Sequence, residues 1–254
     1  MELPKNKFKQ ALLEKKPQIG IWSSLSSHIV AEILAHAGFD WVLLDTEHSP
    51  NELPMVQSQL HALTGGSATP VVRPAWNDMV LVKRYLDIGA QSLLLPYVQS
   101  AEEARDAVRY TRYPQAGVRG VAGSTRAAGY GRTKDYLKRA HEEICVLVQV
   151  ETQQALDQIE AICAVDGVDG VFIGPADLHA SLGYTGETAN PKVLPIIDEA
   201  IRRIRKAGKA PGILTPVEAD AKRWLECGAL FVAVGADVGL LARGAEALRA
   251  KFNA

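Results

Sequence analysis

The 254-residue sequence predicts an α/β fold of the (β/α)8 TIM-barrel type. Short apolar runs recur eight times along the chain, amphipathic segments separate them, and the length matches the roughly 250 residues such barrels use. The runs are IGIWSSL (19–25), WVLLDTEH (41–48), TPVVRP (69–74), QSLLLPYV (91–98), ICVLVQVE (144–151), GVFIGPADL (170–178), APGILT (210–215) and ALFVAVGAD (229–237). Each core is apolar on both faces, as parallel strands covered by helices must be. A doubly wound sheet is the structural rival, but no GxGxxG follows the first run to mark a dinucleotide site. Residues 1–254 are therefore expected to form a single barrel domain.

The segments between the runs carry helix punctuation. Ser100 with Glu103, and Thr215 with Glu218, have the spacing of capping boxes, the second with Pro216 at the first helical position. Asn190-Pro191 opens a helix that stops at Gly208, and Gly38, Gly89 and Gly228 end others. One connection breaks the rhythm: 45 residues separate Val98 from Ile144. Within it, residues 116–132 hold five glycines and three arginines. Long irregular loops in compact domains usually serve function or are mobile. Arg119, Ser124, Arg126 and Arg132 favour a lid over the active site, with a plain surface loop as the alternative.

Lys plus Arg number 28 and Asp plus Glu 29, a net charge of −1, which argues against a dedicated nucleic-acid binder. No run approaches the ~18 apolar residues of a membrane span, and MELPKNKFKQ lacks a signal-peptide core. Cys145, Cys163 and Cys227 are odd in number and widely spaced, against disulfides and a zinc-thiolate site. A cytoplasmic protein is expected.

Barrel active sites sit at the C-terminal ends of the strands. Those ends carry Trp22; Asp45, Glu47 and His48; Arg73; Gln149 and Glu151; Asp177; Thr215; and Asp237. Acids, one histidine and one arginine thus converge on one rim. Glu151 and Asp177 follow consecutive strands, so their carboxylates meet across the mouth and repel unless a cation intervenes. Each could instead serve as a helix-start acid, but together they favour a hard divalent ion, Mg²⁺, Mn²⁺ or Co²⁺. Arg73, aimed by Pro74, offers a fork of donors to an enolate or substrate oxygen. His48, three residues after Asp45, is expected to pair with it as an acid/base near neutral pH. The turn GPADL presents the Ala176 and Asp177 amides to a substrate carboxylate. All thirteen lysines lie outside the eight runs, which leaves a Schiff-base mechanism without a nucleophile.

FDWVLLDTEHSPN, PVVRPAWND, YPQAGVRGV, VLVQVET and GVDGVFIGPADL, in this order and spacing, closely resemble the HpcH/HpaI family of metal-dependent pyruvate aldolases. The resemblance runs from about Phe8 to the C-terminus. It implies a barrel, a homohexamer built as a trimer of dimers, and a C-terminal helix swapped between subunits. It also implies that Glu151 and Asp177 hold the metal and that Gln149 touches bound pyruvate. The Ala176 and Asp177 amides would hold the pyruvate carboxylate, Arg73 the enolate oxygen, and His48 with Asp45 the proton. Trp22 and Leu214 match positions lining the substrate pocket. The expected reaction is reversible cleavage of a 4-hydroxy-2-oxo acid, of the heptanedioate type, to pyruvate and an aldehyde such as succinic semialdehyde. Thr46 and Ser49 stand where close members carry smaller Gly and Ala, and both are expected to face the acceptor aldehyde. The 116–132 stretch is nearer the sugar-acid branch, so a 2-keto-3-deoxy-sugar-acid substrate is the alternative. A non-catalytic oxo-acid binder, or a related acyl lyase or mutase, is a further contrast.

Overall fold

A computed structural model describes residues 1–252, so the last two residues of the expected 1–254 domain lie outside it. Eight parallel strands close into a barrel in chain order: β1 (Gln18–Ser23), β2 (Trp41–Asp45), β3 (Thr69–Arg73), β4 (Ser92–Leu95), β5 (Cys145–Val150), β6 (Gly170–Ile173), β7 (Ala210–Leu214) and β8 (Phe231–Ala236). Seven fall within the apolar runs, and β1 begins one residue before its own. One core lies between the strands and the surrounding helices; a second fills the barrel itself.

The interior core is largely aromatic. Phe8, on the helix Lys7–Leu13, packs against Trp41 and Phe231 at the N-terminal end of the barrel. Phe231 continues to Phe172, and Phe172 to Trp22 near the C-terminal end. The column leaves no room on the facing strands. A Cβ at Gly20 would collide with the Trp41 ring, and one at Gly212 with the Phe231 ring. Absence of a side chain is what lets the rings stand on the axis.

Helix boundaries partly follow the sequence punctuation. Ser100 caps the helix Ala101–Thr111 by accepting the Glu103 N–H at 3.2 Å. Gly38, Gly89, Gly208 and Gly228 all take positive φ just beyond helices, a conformation that costs a residue with a Cβ. Two starts come later than expected. Thr215 still donates its N–H to Ala233 on the strand ladder, so the helix opens only at Glu218, with Thr215 Oγ1 holding the Val217 N–H. Asn190 caps a separate turn through the Lys192 N–H, and the helix proper runs Leu194–Lys206.

The 116–132 stretch does not cover the mouth of its own barrel. Arg119 is fully buried and reaches Asp87 at 2.8 Å, Arg126 donates to the Ile88 carbonyl, and the Met1 amine donates to the Arg132 carbonyl. These anchors precede β4, at the N-terminal end of the strands. The reason is Arg119: a buried guanidinium must sit by its carboxylate, and Asp87 ends the helix Met79–Asp87 at that end. The arginines expected to form a lid therefore brace the opposite face.

The C-terminal helix Asp237–Ala250 leaves the barrel. Only Asp237 of its residues is buried, while Leu240 and Leu241 are 61% and 63% exposed. Among the described residues, no helix is long and apolar enough to cross a membrane.

Candidate active site

The strand ends build an ionic cluster at the mouth. Asp45 and Arg73 are register partners on β2 and β3, so their side chains leave the sheet on the same side. Arg73 Nε and Nη2 bind the two Asp45 oxygens at 2.9 and 2.8 Å, a bidentate fork. Trp22 Nε1 donates to Asp45 Oδ2 at 3.2 Å, and its ring lies 5.0 Å from the guanidinium carbon. The Glu47 N–H donates to Asp45 Oδ1. Burial opposes ionisation of Asp45, yet the hydrogen bonds and charge of Arg73 hold its carboxyl below the ordinary range. Arg73 Nη1 also stands 2.9 Å from Glu47 Oε2, an ion pair in which that buried oxygen accepts no hydrogen bond.

Across the mouth, Glu151 follows β5 and Asp177 lies in the first turn of the helix Pro175–Ser181 after β6. Glu151 is buried; its Oε1 accepts the Tyr97 N–H at 2.8 Å and its Oε2 the Gln149 amide. Burial lifts the Glu151 carboxyl to about 7, and the Asp177 and Glu47 charges push the same way. Glu47 is raised as well, first by burial and then by Asp45 and Asp177, against the pull of Arg73. Gln149 Oε1 is buried with no hydrogen-bond partner. Gly174 gives the cluster room, since a Cβ there would strike Glu151 Oε2. Among the described residues, no side chain caps the helix that follows, and the Ala176 and Asp177 N–H groups have no protein acceptor.

A sequence model of the HpcH/HpaI aldolase/citrate lyase family matches residues 18–244. The chain belongs to that family. A 4-hydroxy-2-oxo-heptane-1,7-dioate aldolase of Klebsiella pneumoniae is 58% identical over 98% of this chain and 94% of its own. A solved HpcH/HpaI aldolase/citrate lyase family protein from Burkholderia cenocepacia J2315 is 41% identical, with a TM-score of 0.94 over 98% of this chain and all of that one. An HpcH/HpaI aldolase from Desulfitobacterium hafniense DCB-2 is 30% identical, with a TM-score of 0.87 over 97% and 96% of the two chains. Membership makes this chain a carbon–carbon lyase on a TIM barrel.

The HpcH/HpaI barrel brings Trp22, Asp45, Arg73, Gln149 and Glu151 to one rim, with Asp177 facing Glu151 and Glu47. Three expectations change. Asp45 serves Arg73 rather than His48, because register sets Asp45 opposite Arg73 and both its oxygens are occupied. His48 is exposed at the rim, its side chain 66% accessible and its Nε2 3.8 Å from Glu47 Oε1 rather than on Asp45. Thr46 and Ser49 do not offer their hydroxyls to an acceptor: Thr46 Oγ1 donates to the Arg73 carbonyl and Ser49 Oγ to the Asp45 carbonyl. Leu214 packs half-buried at the end of β7 against the interior core. Asp237 takes no part in the ionic cluster; it binds Ser23 Oγ and the Ser24 and Leu25 N–H groups. Two contributors carry no role in the sequence reading. Glu47 is visible there only as one more rim acid. The Tyr97 N–H depends on a left-handed backbone, φ 55°, at a residue with no glycine or asparagine to signal it.

Proposed function

We propose that the chain, as one barrel domain over residues 1–254, is a divalent-metal-dependent pyruvate aldolase that reversibly cleaves a 4-hydroxy-2-oxo acid to pyruvate and an aldehyde. The observation that carries the proposal is the pairing of Glu151 and Asp177 across the mouth from an Arg73 locked by Asp45. The donor set fits a hard cation. Burial, reinforced by the Asp177 and Glu47 charges, raises the Glu151 carboxyl to about 7 with no cationic side chain among the described residues offsetting it, and Gln149 has a buried acceptor unused. Among the described residues, no three acidic, histidine or cysteine side chains enclose an ion by themselves. Two protein carboxylates would then leave coordination positions for substrate oxygens and water, as Mg²⁺, Mn²⁺ and Co²⁺ accept. Such a cation supplies Lewis-acid polarisation of the 2-oxo acid, which acidifies its methyl group.

The chain's own residues do the rest. The uncapped Ala176 and Asp177 amides receive the pyruvate carboxylate, and the Gln149 side chain contacts the same molecule. Arg73 keeps Nε and one Nη2 hydrogen on Asp45 and Nη1 beside Glu47, so its second Nη2 hydrogen is the donor left for the enolate oxygen, on a guanidinium already fixed before charge develops. His48, at the rim beside Glu47, or a water there, moves the proton between the methyl carbon and solvent and later serves the C4 alkoxide. Trp22 supports Arg73 from beneath, while Leu214 lines the acceptor side. Succinic semialdehyde is the favoured acceptor because the 58% identical relative is named for the heptanedioate substrate. The exposed Leu240 and Leu241 support a homo-oligomer in which the C-terminal helix packs on a neighbouring subunit, and the family resemblance makes it a hexamer, a trimer of dimers.

The test is proton NMR of pyruvate in D2O with the purified protein. Methyl deuteration should be abolished by chelation and restored by Mn²⁺, Co²⁺ or Mg²⁺. Exchange that survives full chelation, or none under any metal, would sink the proposal. A panel of aldehydes with pyruvate then separates the heptanedioate substrate from sugar acids.

A further inference from the structure

Two hydroxyls in the loop after β2, those of Thr46 and Ser49, both donate to the backbone of the Asp45–Arg73 clamp. Thr46 is buried, and its Oγ1 donates to the Arg73 carbonyl at 2.7 Å; the Thr46 N–H donates to the same carbonyl at 3.0 Å. Tyr85, on the helix Met79–Asp87 outside the barrel, donates its OH to Thr46 Oγ1 at 3.1 Å. Ser49 Oγ donates to the Asp45 carbonyl from four residues downstream. Each residue of the Asp45–Arg73 pair therefore has its main chain tied down by a hydroxyl from the loop that follows β2.

We infer that Thr46, Ser49 and Tyr85 form a brace that positions the Arg73 guanidinium for its work on the enolate, resting on the proposed aldolase reading. The Asp45–Arg73 register ends the β2–β3 ladder, where backbone groups lose their regular partners. The Arg73 carbonyl faces this edge and accepts two donors from one residue. Beyond it the chain turns at Pro74, which has no N–H to bind back. Without the Thr46 hydroxyl, one donor remains on that carbonyl and the Tyr85 OH is left buried without an acceptor. The guanidinium would keep its ion pair with Asp45, but the pair could shift together relative to Glu151 and Asp177. Small displacements of a group that must meet a reacting oxygen carry large rate penalties. The brace touches neither the cation ligands nor the Ala176 and Asp177 amides, so binding should be spared.

The decisive variant is Thr46→Val, which keeps the shape and removes the hydroxyl, with Thr46→Ser as the conservative rescue. Thr46→Val should lower kcat and the rate of pyruvate methyl exchange about tenfold, the rate equivalent of one net hydrogen bond. Pyruvate KM and metal affinity should stay within about twofold, and Thr46→Ser should recover to within about twofold of the parent. Hydrogen–deuterium exchange of residues 42–51 should quicken in Thr46→Val and not in Thr46→Ser. Tyr85→Phe should lie between them on both readouts. Equal turnover in Thr46→Val and the parent would overturn the brace, as would a Thr46→Val effect confined to KM or to aldehyde preference. Unchanged hydrogen exchange would also overturn it, and this arm reads the brace even if the parent protein shows no pyruvate exchange and the aldolase reading fails.

Discussion

Replacing Glu151 with Gln should stabilise the metal-free protein in alkaline solution while removing its metal response. Glu151 is buried beside Asp177 and Glu47, and its carboxyl titrates at about 7 rather than at the ordinary 4.5. Once ionised in both states, that gap is worth roughly 3 kcal/mol against the fold. The folded-state value is the higher one, so the contribution favours folding fully below pH 4.5 and is lost as pH rises through 7. Between pH 5.5 and 8.5 the loss is about 2 kcal/mol, because the unfolded carboxyl is already largely ionised at the lower pH. Glutamine removes the titration and keeps an oxygen for the Tyr97 N–H. Gln149, whose Oε1 is unpartnered, can turn to accept from the new amide. Thermal midpoints of both proteins, metal-free and at one protein concentration, should therefore diverge on going from pH 5.5 to 8.5. The Glu151→Gln protein gains by roughly 4–8 °C relative to the parent. At pH 8.5, a divalent cation at a hundredfold excess over its Kd should raise parent stability by about 2.7 kcal/mol and leave the variant nearly unmoved. A flat difference between the two proteins across this pH range would refute the reasoning, whatever their absolute midpoints.

Arg73→Ala should cut metal-dependent pyruvate exchange by on the order of 10²–10³, and Arg73→Lys should recover little because lysine has no planar fork for Asp45. Loss of less than tenfold in the alanine variant would remove Arg73 from the enolate. Leu240→Asp with Leu241→Asp should reduce the molar mass seen by light scattering while the far-ultraviolet circular dichroism stays that of the barrel; an unchanged mass refutes a role for that helix in assembly. Phe8→Ala empties the foot of the aromatic column and should cost about 3–5 kcal/mol in urea unfolding.

The strands were legible because parallel strands buried on both faces read as near-continuous apolar runs, as residues 41–44 and 145–148 do, repeated eight times between amphipathic segments. The cluster at their ends was legible for the same reason: a barrel brings every strand end to one rim. What escaped was anything that depends on how neighbours meet. Asp45 and His48 are three apart in the chain, and proximity in sequence suggested a pair. The register of β2 against β3 overrides it and gives Asp45 to Arg73. The lid expectation failed similarly. Glycine and arginine content marked residues 116–132 as special but said nothing about which end of the barrel holds Asp87, the partner that Arg119 requires.

The ring column from Phe8 to Trp22 gives the barrel a sealed floor and one door. Whatever sits at the Glu151–Asp177 rim cannot drain through the axis, so both products of a cleavage leave by the way the substrate came in. The fragment held against the floor must wait for the outer one to clear the opening. With pyruvate inward, the aldehyde departs first in cleavage, and pyruvate must arrive first in synthesis. Product inhibition should follow that order, with pyruvate competitive against the cleavable substrate and the aldehyde, which binds only the pyruvate-loaded protein, noncompetitive.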